Sequence, residues 1–258
     1  MGKPFGDAVL VTGANRGIGL EFVKQIANHE GAPAFLFAGT RDPAKSEELQ
    51  KFAESVKGNC DVRLLKLAVD QVDDIKKAAA DVKAVVGENG LNLLINNAGV
   101  MDTSQVLGSI SFEGMLSSFK VNTIGPLMVS QEFMPLLKCA AKRQASEPMS
   151  CARAAVVMIS TGVASIEDNT SGERMGGYGY RCSKAALNQA ARTMAVDHKK
   201  YGVIVTAMLP GYVQTDMTGH HGSLTVGESV GSMLASLARL GEEHTGGFYT
   251  LHLKTFPW

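Results

Sequence analysis

The chain has no excess of charge of either sign, with 25 lysines and arginines against 25 aspartates and glutamates. Net charge therefore lends nothing to a nucleic-acid or strongly acidic partner. Cysteine is scarce, and Cys60, Cys139, Cys151 and Cys182 show no paired short spacing. This argues against a zinc site and a disulfide framework, and it fits a reducing compartment. No apolar run approaches the length of a membrane span, and Met1–Phe5 leads into a strand pattern without a signal-peptide run. The expectation is a soluble, cytoplasmic protein with no membrane and no nucleic-acid partner. No linker divides the sequence and no period repeats, so residues 1–258 read as one domain.

What the sequence does have is alternation. Hydrophobic residues make up 45% of it, ample for a buried core. Strand patterns at Ala8–Thr12, Ala34–Gly39, Val62–Ala68, Leu91–Asn96, Ala154–Ser160, Val203–Leu209 and Phe248–Leu253 are separated by longer helical patterns. These lie at Ile18–His29, Ala44–Val56, Val72–Val86, Phe112–Leu137, Gly179–Tyr201 and Val226–Leu240. The first six strands are mostly continuous apolar runs, as in strands buried on both faces. The order predicts an α/β fold, a Rossmann-like doubly wound parallel sheet of about seven strands flanked by helices. Asp42-Pro43 marks a helix start. The polar stretches Lys142–Arg153 and Glu167–Gly177 read as surface connections.

After the first strand, Thr12-Gly13-Ala14-Asn15-Arg16-Gly17-Ile18-Gly19 reads as a glycine-rich turn opening a helix. Such glycines let backbone approach a pyrophosphate, and the helix start offers free N–H donors. The Gly-x-x-x-Gly-x-Gly spacing differs from the general dinucleotide fingerprint. An ordinary tight turn is the plainer alternative; the following βαβ series favours dinucleotide binding. An NAD site wants a carboxylate at the end of the second strand, yet neutral Thr40 stands there. Arg41 follows, and Arg16 lies in the glycine loop. Two guanidinium groups would suit a 2′-phosphate, so NADP(H) is the expected cofactor. The alternative has both arginines solvated and Asp42 serving the ribose.

Tyr180 and Lys184, four residues apart, share one helix face. A nearby ammonium favours the phenolate, so the pair predicts a tyrosine pKa drawn down from about 10 towards neutrality. Tyr180 would then serve as general acid, or as general base in reverse. Tyr178 lacks a lysine four residues on.

These motifs, with Asn96-Asn97-Ala98-Gly99 and Pro210-Gly211, stand in the order and spacing of a known family. Over essentially its whole length the chain resembles the classical short-chain dehydrogenases/reductases. Tyr178–Asn188 and Pro210–Met217 are most similar to the sniffer-type carbonyl reductases. The resemblance implies that Asn96, Asn97, Ala98 and Gly99 support the sheet and border the adenosine ribose. It implies that Gly13, Asn15, Arg16, Gly17, Ile18, Gly19, Thr40 and Arg41 hold the cofactor's adenosine and phosphates. Asp70 would bind adenine or cap the following helix, two compatible roles. Asn122 would hold a water in a proton relay to Lys184, although a buried amide also has structural uses. Lys184 would hold the nicotinamide ribose, with Tyr180 beside it. Pro210, Gly211, Val213 and Thr215 would border the nicotinamide.

One position departs from the family pattern. The catalytic serine of the fifth strand falls in Ile159-Ser160-Thr161-Gly162, where register favours Thr161 as hydroxyl donor, with Ser160 the alternative. Threonine keeps the donor but adds a methyl and stiffens χ1. The implied activity is NADPH-dependent reduction of an aldehyde, ketone or quinone, with a mobile substrate loop at about 216–225. His220 and His221 within it read as loop residues, not metal ligands. A catalytically weak dinucleotide-binding sensor or scaffold is the second reading, and a sugar-nucleotide epimerase a third that the length disfavours. Family members commonly pair across the two long helices, so a homodimer is expected. Met128, Phe133, Leu187, Ala190, Ala191, Met194 and Ala195 are available to a partner, or they cover the sheet.

Overall fold

The structure is a computed structural model that describes residues 2–172 and 176–258. Seven parallel strands form one sheet: β1 (Ala8–Thr12), β2 (Phe35–Thr40), β3 (Asp61–Lys66), β4 (Leu93–Asn96), β5 (Ala155–Ile159), β6 (Ile204–Leu209) and β7 (Phe248–Thr250). Their order is β3-β2-β1-β4-β5-β6-β7, all parallel neighbours. The order reverses between β1 and β4, and a crevice at the carboxyl ends of strands is the place such sheets bind ligands.

Alternation along each strand divides the core in two. Leu10, Phe37, Leu94, Val156 and Val205 face α3 (Val72–Val86), α5 (Gly125–Arg143) and α6 (Gly177–His198). Val9, Val11, Leu36, Ile95 and Met208 face α1 (Gly17–Ala27), α2 (Glu47–Ser55) and α7 (Val226–Leu237). The central strands are buried throughout, but β3 is an edge strand whose alternate residues are exposed. The expectation of burial on both its faces is therefore corrected: Asp61, Arg63 and Lys66 take the solvent-exposed positions.

Asp42 accepts a hydrogen bond from the Ala44 N–H and opens a short 3₁₀ turn at Pro43–Lys45. The helix expected from Ala44 starts only at Glu47, because the Ser46 hydroxyl bonds back to the Asp42 carbonyl. The long helix expected over Phe112–Leu137 is likewise interrupted. α4 (Phe112–Phe119) gives way to a π turn at Lys120–Ile124 before α5 begins. Pro126 has no N–H to return to the Asn122 carbonyl four residues back, which removes one α-helical bond at this place. Such single π turns inside helices often mark functional sites.

Five of the seven residues offered to a partner chain are core: Phe133, Leu187, Ala191, Met194 and Ala195 lie against the sheet. Only Met128 and Ala190 are half-exposed. Part of the connection Glu167–Gly177, residues 173–175, falls outside the described residues.

Candidate active site

A cavity of about 560 Å³ runs along the carboxyl ends of the strands from β3 to β6. Its floor is backbone. Gly17 takes a positive φ of 53°, and a Cβ there would meet only Thr215 within 4 Å, so it would project into open space. A Cβ on Gly19 would lie 2.1 Å from the Gly13 carbonyl oxygen, closer than atoms can approach. The loop is held against β4 by side chains. The Thr12 hydroxyl accepts from the Asn97 and Ala98 N–H groups at 3.0 and 3.1 Å, and Asn97 Nδ2 donates to the Thr12 carbonyl at 2.9 Å. Asn96 Nδ2 donates to the Ser130 hydroxyl and bridges towards α5.

Gly13, Asn15, Arg16, Gly17, Ile18, Gly19, Thr40, Arg41, Asp70, Asn97, Ala98, Gly99, Tyr180, Lys184, Pro210 and Thr215 all line this one cavity. Gly211 and Val213 do not. Val213 is buried and bridges to Leu224, and a Cβ on Gly211 would meet the Leu224 side chain. Asp70 is not the helix cap, because Gln71 takes that position. Lys45 and Ser46 are on the wall too, in a stretch read only as the start of a helix. Arg16 bonds Asp216 at 2.7 Å across the mouth, and Lys45 stands 3.5 Å from Asp42. Arg41 is exposed with no ion pair among the described residues.

The other end of the cavity is set by α6 against the end of β5. Tyr180 and Lys184 are buried on the inner side of α6, while Tyr178 is at the surface. The Thr161 side chain lies beside the Tyr180 phenol, near enough to favour its ionised form. The Ser160 hydroxyl instead donates to Asn188 Oδ1 at 2.6 Å, so it is not free to act as the alternative donor. Lys184 Nζ donates to the Ile159 carbonyl at 2.7 Å. Asn122 is fully buried, with its amide tied to both backbone groups of Val100 at 2.8 Å and to the Ser183 hydroxyl at 3.0 Å. A Cβ on Gly99 would stand 3.3 Å from Asn122 Oδ1 and 3.5 Å from Lys184 Nζ, which places these groups side by side.

The electrostatics correct one expectation. Burial lowers the Lys184 pKa to about 8, because the charged amine has lost its water. Burial also holds the Tyr180 phenol above its ordinary value, only partly offset by the neighbouring Thr161 side chain. The ammonium does not draw the phenol towards neutrality here; desolvation of the phenolate is the larger effect. Tyr180 consequently keeps its proton at neutral pH.

A family model described as short chain dehydrogenase matches residues 7–223. The chain belongs to the short-chain dehydrogenase/reductase family. Among solved structures it is similar to carbonyl reductase Sniffer of D. melanogaster, at 34% identity and a TM-score of 0.93, over 98% of this chain and 100% of that one. It is also similar to an NADPH-bound carbonyl reductase from chicken fatty liver, at 39% identity and a TM-score of 0.92, over 98% and 99% of the two chains. A curated relative, C-signal of Myxococcus xanthus, is 36% identical over 65% of this chain and 93% of its own length. The resemblance read from the four motifs, sniffer-type reductases included, is thus supported along nearly the whole chain.

Proposed function

We propose that the protein is an NADP(H)-dependent carbonyl reductase that protonates the substrate oxygen from Tyr180. The observation that carries this reading is a buried tyrosine, beside Thr161 and one turn from buried Lys184 on the same helix face, at the end of a glycine-floored cavity. The glycine floor fits a dinucleotide, since a side chain at Gly17 would fill the space the phosphates need. Arg41, Arg16 and Lys45 at the adenosine end suit a 2′-phosphate by charge. A nicotinamide dinucleotide held along this floor would supply the hydride for the carbonyl carbon.

The chain's own residues do the rest. The Tyr180 phenol gives its proton to the oxygen that becomes the alcohol, a step for which a pKa above neutrality keeps the acid charged with its proton. Thr161 orients that oxygen and the phenol together. Lys184 holds the nicotinamide ribose and places positive charge beside the tyrosine. The Asn122 amide nitrogen is committed to Val100 and Ser183, and Asn122 holds the relay water beside Lys184. Pro210 and Thr215 would border the nicotinamide, and Met217, half-exposed on the cavity wall, meets the substrate. Asp70 faces the adenine. The substrate is a small aldehyde, ketone or quinone.

The test is NADPH oxidation against a panel of aldehydes, ketones and quinones. Carbonyl-dependent oxidation, lost by about 10² to 10⁴ in Tyr180→Phe, is the expected result. NADPH binding without turnover on any carbonyl would favour a sensor or scaffold instead.

A further inference from the structure

Three consecutive residues at the end of β5 each meet one of three residues on α6. Thr161 lies beside the Tyr180 phenol, the Ile159 carbonyl accepts from Lys184 Nζ at 2.7 Å, and the Ser160 hydroxyl donates to Asn188 at 2.6 Å. Tyr180, Lys184 and Asn188 are spaced four apart, so they stand one above another on a single helix face. The first two rungs involve groups with chemistry to perform. The third does not touch the reacting groups.

That third rung is costly as a mere brace. Ser160 and Asn188 are 2% and 3% exposed, and Asn188 Nδ2 is buried with no hydrogen-bond partner among the described residues. An unpartnered buried donor destabilises the fold, and an apolar pair of similar shape would avoid that cost. The neighbouring α6 residues Leu187 and Ala191 meet the sheet through apolar contact alone. On its other side, the Ser160 N–H donates to the Met208 carbonyl of β6 at 2.8 Å, continuing the sheet hydrogen bonding past the end of β5. That bond still lets the segment turn about its own axis. The side-chain bond to Asn188 removes this freedom.

We propose that Ser160 and Asn188 are a positioning pair: their hydrogen bond fixes the rotation of the β5 end against α6, and so sets Thr161 against Tyr180 and the Ile159 carbonyl against Lys184. Ser160 shares a peptide bond with each of those two residues, so a turn at Ser160 moves both contacts together. Misplacement of a catalytic group by about 1 Å can cost roughly 10²-fold in rate. The inference rests on the carbonyl reductase reading, with Tyr180 as acid.

The experiment compares Ser160→Ala, Asn188→Leu and the double variant in the full-length protein. The readouts are the thermal midpoint, kcat, and KM for NADPH and for a carbonyl found by the panel. Each single change should lower the midpoint and reduce kcat about tenfold or more, with KM for NADPH within about twofold, since the adenosine end is untouched. The double change removes both polar partners, so the midpoint should recover. Its kcat should stay low. Ser160→Thr, which keeps the hydroxyl, should keep kcat near the parent value.

A double variant whose kcat recovers along with its stability would overturn the positioning role, as would single variants with lowered midpoints and unchanged kcat. Should a single variant fail to fold, the double variant alone decides between these outcomes. Tyr180→Phe, assayed alongside, separates the two levels. A Tyr180-dependent enzyme indifferent to loss of the pair contradicts only the positioning; Tyr180→Phe with parental turnover removes the reading beneath it.

Discussion

The two ends of the cavity are built differently. The adenosine end rests on backbone: Gly13 and Gly19 with no room for a Cβ, a turn stitched to β4 through Thr12 and Asn97, and strand ends buried in two cores. The end proposed for the substrate is bordered by connections, with Met217 on the cavity wall and half-exposed after β6. Between them stands the α6 face that carries Tyr180 and Lys184. Backbone constraint leaves a mark in sequence, because only glycine satisfies it. Side chains on loops leave almost none, which is why the cofactor is readable here and the carbonyl compound is not.

The sharpest way to break this contrast is Gly19→Ala. The added methyl would have to displace the Gly13 carbonyl, and NADPH affinity should fall by about 100-fold or more by titration, with a lowered thermal midpoint. A variant that binds NADPH normally would show that the loop is not a rigid cradle. Next in size is Arg41→Ala. Loss of a charge-assisted contact worth about 1.5–3 kcal/mol should weaken NADPH binding roughly 10- to 100-fold and leave NADH nearly unchanged. Equal losses for both cofactors would remove Arg41 from the 2′-phosphate.

A third measurement addresses the ground between the two ends. The folded pKa of Lys184, about 8, lies below the ordinary lysine value of 10.5, so the unfolded chain holds more protons between these values. Stability should therefore rise with pH across that window on account of this group, by up to about 1.4 kcal/mol per pH unit, and the full penalty should be present below pH 8. The difference in unfolding free energy between the parent and Lys184→Met should show this slope. A flat difference would mean that the amine is not desolvated. The smallest effect belongs to the substrate end: Met217→Ala should change KM for the carbonyl a few-fold and NADPH affinity hardly at all.

Much of the fold was legible, and the exceptions have physical causes. Continuous apolar runs located the strands, but they could not mark β3 as an edge strand, since edge position is a property of the sheet order. Periodicity carried the helix straight through Asn122, although Pro126 four residues on held the sign of a break. The Tyr180–Lys184 spacing gave the pair but not its pKa, because burial, unlike spacing, depends on the rest of the chain. Register favoured Thr161 but left Ser160 as an alternative. Their separation lies in Asn188, a residue 28 positions away that carries no motif. The faces of α5 and α6 looked available to a partner because a helix covering a sheet and a helix in an interface share one apolar pattern.

The central claim is that this cavity brings a hydride and the Tyr180 proton to one carbonyl group. It is tested most directly by supplying NADPH dideuterated at C4 with a carbonyl substrate and weighing the alcohol formed. The expected result is one deuterium at the carbinol carbon, formed by the parent protein and lost by at least about 10² in rate in Tyr180→Phe. An alcohol without deuterium, or one formed equally fast by Tyr180→Phe, would contradict it.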